Sequence, residues 1–305
     1  MKKLLKKLTK RFKNWLIYAA VRSGILWMLS VQRATSIKFL QAMAKFGYYV
    51  VPSERKKTNA NLQKIFGDKK TENELKAMAK SVFGNLGKNM ADAFAIPRFN
   101  RVNIDNYVKV EGIEHLQNGL KNGTGVIALT GHIGNWELMG AYLAMKGYPI
   151  NVVGAPIYDQ RLDDLVVKNR EQAGMKNIAR GSATREILRA LRRNEVVGIL
   201  IDQDSKRIEG IFVDFLGHQA YTPVGPVVLA MKTKSLIIPM AIHSRKDGTH
   251  LIEIKKALPL QFTDDTDSDR LVNTKLCNDA LSEFILKYPT QWVWMHERWK
   301  TQAEA

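Results

Sequence analysis

From Tyr107 to Ser244 the chain alternates between short apolar runs rich in β-branched residues and longer stretches with helical periodicity. This order leaves few folds open, because neighbouring parallel strands need crossover helices and those helices cover both faces of the sheet. The strand-like runs are YVKVEG, GVIALT, YPINVVGAP, VVGILIDQD and LIIPMAIHS. Between them lie helix-like IEHLQNGLKN, NWELMGAYLAMKG, the segment from Asp159 to Gly174, TREILRALRRN and PVGPVVLAMKTK. The expected fold class is α/β, with a mixed, mostly parallel central sheet flanked by helices. Upstream, Leu75, Met78, Val82, Phe83, Leu86, Met90 and Phe94 recur at threes and fours, which predicts one amphipathic helix from Glu72 to Ala95. Downstream a long helix is expected from Asp267 to Tyr288.

The run GVIALT ends at GHIGNWE, placing His132 on the turn at a strand's carboxyl end, where open α/β sheets put their ligands. An imidazole takes a proton near neutral pH, and does so better when a carboxylate fixes its tautomer. Glu137 is the candidate carboxylate, reached from the turn because Gly131 and Gly134 give the backbone freedom. The plain alternative is a backbone-bonded turn histidine, with Glu137 as a first-turn charge favoured by the helix dipole. A second acidic group, Asp202-Gln203-Asp204, closes another strand and belongs on the same rim. Those acids suit a cation, the orientation of a donor, or pairing with arginine. Arg161, Lys168, Arg170, Arg180, Arg185, Arg189, Arg192 and Arg193 form an arginine-rich stretch, read either as a phosphate grip or as a solvated helix face. Phe212, Phe215 and Leu216 are candidates for an apolar wall beside the acids, or for core.

Of the net charge of +18, residues 1–53 carry eleven Lys and Arg and no Asp or Glu. A partner rich in negative charge follows, either a phospholipid surface or a nucleic acid. Lys2, Lys3, Lys6, Lys7, Lys10, Arg11 and Lys13 lead into WLIYAAVRSGILWMLSV, whose middle Arg22 makes a simple membrane span expensive, at about 3 kcal/mol or more. A second apolar, aromatic segment runs from Ile37 to Val51, and ERKKTNANLQKIFGDKK then reads as a polar, turn-rich join. The expected organisation is a basic, apolar membrane anchor over 1–51, as a helical pair in one leaflet, and a catalytic domain over 52–305. A buried hairpin of a soluble domain is the alternative. No helix-turn-helix, zinc-finger or RRM signature supports nucleic acid as the partner. The single cysteine, Cys277, excludes an internal disulfide framework.

Taken together, these residues resemble the bacterial lipid A secondary acyltransferases, the lauroyl and myristoyl transferases of late lipid A synthesis. The resemblance runs through the basic apolar amino terminus, the Arg55 to Phe66 segment, the HxxxxE of His132 and Glu137, Asp202-Gln203-Asp204, FVDFLGHQAYTPVGPVVLA, and the ending PTQWVWMHERWKT with its W-x-H-x-R-x-K pattern. It implies a fold like that of glycerolipid acyltransferases and action at the cytoplasmic face of a bacterial inner membrane. His132 is then the general base, Glu137 its partner, and Arg170 and Asp202 further site residues, with Asp204 and Arg161 as neighbouring substrate-binding candidates. The implied donor is an acyl thioester on acyl carrier protein and the implied acceptor a hydroxyl of a phosphorylated glycolipid, with no cofactor and no metal. Related mannoside acyltransferases share the motifs, so another glycolipid fits as acceptor. A membrane-bound hydrolase with the same residues differs only in using water.

Overall fold

A computed structural model describes residues 2–154, 156–179 and 183–303, with side chains from residue 12 onward. Arg180 and the side chains of Lys2, Lys3, Lys6, Lys7, Lys10 and Arg11 lie outside the described set. The amino-terminal region is four helices: α1 (Lys2–Ser30), α2 (Arg33–Val50), α3 (Pro52–Phe66) and α4 (Glu72–Phe94). Helix α2 packs along α4, so closely that a Cβ on Gly87 would meet the Leu40 carbonyl. Arg33 locks its first turn to the body, donating to both oxygens of the fully buried Asp92 at 2.7 and 2.8 Å.

The segment expected as a polar join is helix α3. Its charged residues conceal a narrow stripe, Thr58, Leu62 and Phe66, spaced by four and buried, and Pro52 opens it at a first-turn position where no amide is needed. Helix α4 matches its expected span because Thr71 and Glu74 close a reciprocal capping box at its start.

The remaining chain runs β1 (Val108–Glu111), α5 (Ile113–Lys121), β2 (Val126–Thr130), α6 (Trp136–Met145), β3 (Ile150–Gly154), α7 (Gln160–Gln172), β4 (Lys176–Ala179), α8 (Ala183–Arg192) and β5 (Val196–Leu200). It continues with β6 (Gly210–Phe215), β7 (His218–Pro223), α9 (Gly225–Thr233), β8 (Leu236–Ser244), β9 (His250–Ile254) and α10 (Thr266–Lys287). Seven strands form one sheet in the order β1-β9-β8-β2-β5-β3-β4, parallel except where β9 turns back against β8. The structure is thus α/β, with a mostly parallel central sheet covered by helices. Strands β6 and β7 form a separate antiparallel hairpin turned through Leu216 and Gly217, both at positive φ, and it carries Phe212, Phe215 and Leu216, which the apolar pattern presents as pocket wall or core.

Strand β2 is buried at every position, and its two faces feed different cores. Val126 and Ala128 join Leu116 of α5 and Leu138 of α6. Ile127 and Leu129 join Ile187 of α8, Val227 of α9, and Leu281 and Phe284 of α10. Burial on both sides makes β2, with β5 paired along its whole length, a rigid base for whatever follows their carboxyl ends.

Candidate active site

Strands β2 and β5 pair in parallel with Thr130 opposite Leu200. Two residues beyond each end stand His132 and Asp202, and the shared register brings them together. The His132 ring contacts Asp202 Oδ1 through Nδ1 at 2.9 Å, while its backbone amide donates to Oδ2 at 2.7 Å. Trp292 donates its indole N–H to the same Oδ2 at 2.8 Å. Both glycines of the GHIGN turn are required by close approach. A Cβ on Gly131 would press on the Asp202 carboxyl at 2.9 Å, and Gly134, at φ 59°, would drive one into the Ile242 carbonyl.

Asp202 is wholly buried, which by itself raises a carboxyl pKa, but the charge and hydrogen bond of His132, with the Trp292 indole, hold it well below the usual carboxylate range. Ionised, it can only accept, so His132 carries its proton on Nδ1 and presents a bare Nε2. Burial works against charging His132, yet the attraction of Asp202, the hydrogen bond to it and the charge of Glu137 raise its pKa above the ordinary value.

Glu137 therefore acts on the ring through charge, and its oxygens are engaged elsewhere. Arg170 grips it in a fork, Nε to Oε2 at 2.9 Å and Nη2 to Oε1 at 2.6 Å, while Nη1 donates to Asn177 at 2.7 Å. The carboxylate at the imidazole is Asp202, and the arginine of the site is the counter-ion of Glu137. Asn135 fixes this geometry by capping α6 on the Leu138 amide and donating to the Asn89 carbonyl at 2.9 Å.

The other anticipated residues sit further out. Arg161 forks onto Asp159, the cap of its own helix α7, and lies over the Tyr18 ring of α1 at 4.9 Å. Asp204 accepts from the amide and hydroxyl of Thr301 at 2.6 and 2.9 Å, tying down the chain's end. Arg185, Arg189, Arg192 and Arg193 line the exposed side of α8 and the turn after it, as a solvated face. Phe215 is core, tilted against Trp292 at 5.6 Å and under Arg298 at 4.5 Å. Among the described residues no group of three His, Cys, Asp or Glu is arranged to hold a metal ion.

The carboxyl-terminal segment supplies what motif spacing did not assign. It runs beside the His132 turn, with Ile133 bridged to Trp292, the Gly134 amide donating to Gln291 O at 2.8 Å and Val293 N to His132 O at 3.2 Å. Asn61 of α3 holds it from the other side, donating to the carbonyls of Trp294 and His296 at 2.8 Å each. Arg298, fully buried, donates to Tyr221 O and Thr222 Oγ1 at 2.6 Å each and so pins it to the β6–β7 hairpin. His296 is thereby delivered beside His132, ring centroids 4.9 Å apart, with Gln203 Nε2 between them at 3.2 Å from His132 Nε2 and 2.9 Å from His296 Nε2. Burial lowers the His296 pKa to about 4, so this second imidazole is neutral when the first is poised to accept a proton. The Trp136 ring, 4.8 Å from that of His132, lines the approach.

The family model for bacterial lipid A biosynthesis acyltransferases matches residues 3–301. A phosphatidylinositol mannoside acyltransferase of Mycobacterium tuberculosis is 26% identical over 221 residues, covering 70% of this chain and 68% of that protein. A lipid A biosynthesis acyltransferase of Haemophilus influenzae is 24% identical, covering 82% and 77%. The lipid A biosynthesis lauroyltransferase of Escherichia coli K12 is 23% identical, covering 95% and 93%.

Proposed function

The chain belongs to the bacterial lipid A biosynthesis acyltransferase family and is an acyltransferase, and from that premise we propose that it moves a fatty acyl group from an acyl carrier protein thioester to a hydroxyl of a phosphorylated, lipid A-like glycolipid at a membrane surface. The observation that carries the chemistry is the hydrogen bond from His132 Nδ1 to the buried, ionised Asp202. His132 Nε2 takes the proton of the acceptor hydroxyl, and the oxygen attacks the thioester carbonyl carbon. The tetrahedral intermediate then expels the thiolate, which recovers the proton from the imidazolium. Asp202 holds the tautomer and stabilises that imidazolium. Glu137, steadied by Arg170, adds a second negative charge nearby. No acyl-enzyme is needed, and Cys277 suits none, since burial in α10 pushes its thiol up to about 12.

Peripheral attachment has support in α1 and α2. Phe39, Met43, Phe46 and Val50 form one exposed stripe along α2, flanking the side that buries Ser36, Leu40 and Tyr48. Phe12, Trp15, Leu16, Leu26 and Trp27 are exposed on α1. No helix among the described residues is long and apolar enough to cross a membrane. This pattern favours an anchor over 1–51 that lies in one leaflet, its basic residues on anionic headgroups, at the cytoplasmic face of a bacterial inner membrane. The chain's positive charge suits an acidic carrier protein as donor.

The mannoside acyltransferase relatives support a second acceptor, a phosphoinositol glycolipid. The two separate in one assay: purified protein, lauroyl thioester of acyl carrier protein, and either a phosphorylated acyl-diglucosamine or a phosphatidylinositol mannoside, with mass spectrometry of the lipids. A mass gain of one lauroyl group on the diglucosamine is the expected result. A gain on the mannoside alone reassigns the acceptor, and thioester hydrolysis without a lipid product contradicts the transferase reading.

A further inference from the structure

We propose that Gln203 is a catalytic residue whose side-chain amide binds the carbonyl oxygen of the acyl thioester as it becomes an oxyanion, and that His296 is the positioning residue that aims it. The proposal rests on His132 as the base and identifies the group that must complement it.

Acyl transfer needs hydrogen-bond donors where the carbonyl oxygen gains charge. The GHIGN turn is the obvious place to look for them, but three of its backbone amides are already committed. His132 N donates to Asp202, Ile133 N to Gly131 O at 2.8 Å, and Gly134 N to Gln291 O at 2.8 Å. A side-chain donor lies beside the reactive nitrogen: Gln203 Nε2 is 3.2 Å from His132 Nε2 and 3.3 Å from Nδ1, which puts it over the ring and out of line with the Nε2 lone pair.

Which end of this amide faces the histidines follows from their protonation. His296 Nε2, 2.9 Å from the amide nitrogen, accepts from it in the neutral tautomer that carries its proton on Nδ1, while the Nε2 lone pair of His132, whose proton is on Nδ1 toward Asp202, stays open to the acceptor hydroxyl. In that tautomer the amide oxygen would meet a lone pair on His296, whereas the amide nitrogen has a hydrogen for it. His296 fixes one N–H and leaves the other beside the face of the His132 ring. The acceptor hydroxyl meets Nε2 in the plane of the ring, so this second N–H stands to one side of the attacking oxygen, within reach of the carbonyl being attacked. As the acceptor's proton passes to His132, the new C–O bond forms and the carbonyl electron pair moves to oxygen against Gln203. Collapse of that pair breaks the C–S bond, and the thiolate takes the proton from His132.

The mounting is rigid, as such a donor requires. Gln203 lies between two anchored acids, Asp202 on Trp292 and Asp204 on Thr301. The backbone of His296 is held by Asn61.

The test uses the full chain with lauroyl thioester of acyl carrier protein and the glycolipid acceptor identified above. Gln203→Met keeps the volume and removes the donor. Its expected kcat is lower by about 100-fold to 1,000-fold with KM little changed. The acid limb of kcat/KM should also move to higher pH, since the lost N–H favoured neutral His132. The other groups facing that ring, Asp202, His296 and Glu137 with its Arg170, are unaltered by the substitution. His296→Ala should lose about 10-fold or more, and His296→Gln, which restores an acceptor, should recover most of it. If His132→Ala is inactive while Gln203→Met keeps kcat within about threefold, the oxyanion lies elsewhere and this proposal falls with the base intact. An active His132→Ala overturns the base itself. If Gln203→Met fails to fold by thermal melting, the His296 pair decides: equal losses for Ala and Gln contradict the positioning role.

Discussion

His132 and Asp202, seventy positions apart, meet at 2.9 Å because β2 and β5 end in register and each residue stands two places beyond its strand. Asp202→Asn should therefore act mainly on turnover. The amide can turn its N–H to the ring, favouring the wrong tautomer, and cannot stabilise an imidazolium. A loss of roughly two to four orders of magnitude in kcat is expected. Steady-state kinetics beside a melting curve checks this, and near wild-type kcat in folded Asp202→Asn would remove Asp202 from the mechanism.

Arg170→Lys should be poorly tolerated although it keeps the charge. An ammonium cannot reproduce the two-point grip on Glu137 and the third bond to Asn177 at once. Turnover should fall on the order of 100-fold as Glu137 shifts, the usual effect of a displaced charge near a reacting centre. Comparing Arg170→Lys with Arg161→Lys is the check, since Arg161 bonds its own helix cap and should be dispensable by comparison.

Acid should destabilise the fold well above the carboxylate range. Burial depresses His243 and His296 to about 4 each, and His250 is lowered as well. A depressed group contributes stability above its unfolded value near 6.5 and loses it as pH falls through the folded value. His132 is raised, so its contribution has the opposite sign, present below that value and lost on the alkaline side. Three groups outweigh one, and the melting temperature should fall from pH 7 to pH 4.5. His243→Phe, which keeps a ring to stack on Tyr288, should reduce that slope, and an unchanged slope would exclude His243 as a contributor.

Membrane attachment should depend on the exposed stripe of α2. Phe39→Glu and Phe46→Glu together should weaken binding to anionic vesicles by roughly 100-fold or more, from the apolar area withdrawn from lipid. High salt alone should not release the wild type. Since α2 is packed on α4 and held by the Arg33–Asp92 pair, surface substitution is the informative change, and removing the helix would open the core. Vesicle flotation with unchanged melting temperature is the measurement, and undiminished flotation of the double variant would place the contact elsewhere.

The inner strands were legible because they are bounded by turn residues and written as apolar runs, as in the wholly buried β2, whereas β4 was not, since KNIA buries only Ile178 and leaves its ends exposed. His132 was legible for the same reason, as the polar residue where GVIALT stops. Its partner was not, since alternation of strand and helix does not reveal that β5 lies next to β2. The signal present in the chain was that His132 and Asp202 each follow a strand end by two residues, whereas Glu137 had proximity in sequence in its favour. Helix α3 was hidden by its charges, and its Thr58, Leu62, Phe66 stripe is narrower than an ordinary apolar face. His296 stood in a recognisable terminal motif, but only the contacts of Asn61, Gln291 and Arg298 show why that motif returns to the sheet end.

The central claim is that the imidazole of His132 moves the acceptor's proton, and the rate of acyl transfer by His132→Ala tests it most directly. With purified, folded variant, lauroyl thioester of acyl carrier protein and the glycolipid acceptor, kcat should fall by roughly two to four orders of magnitude while vesicle binding persists. A variant that stays folded and transfers the acyl group at close to the wild-type rate would contradict the account.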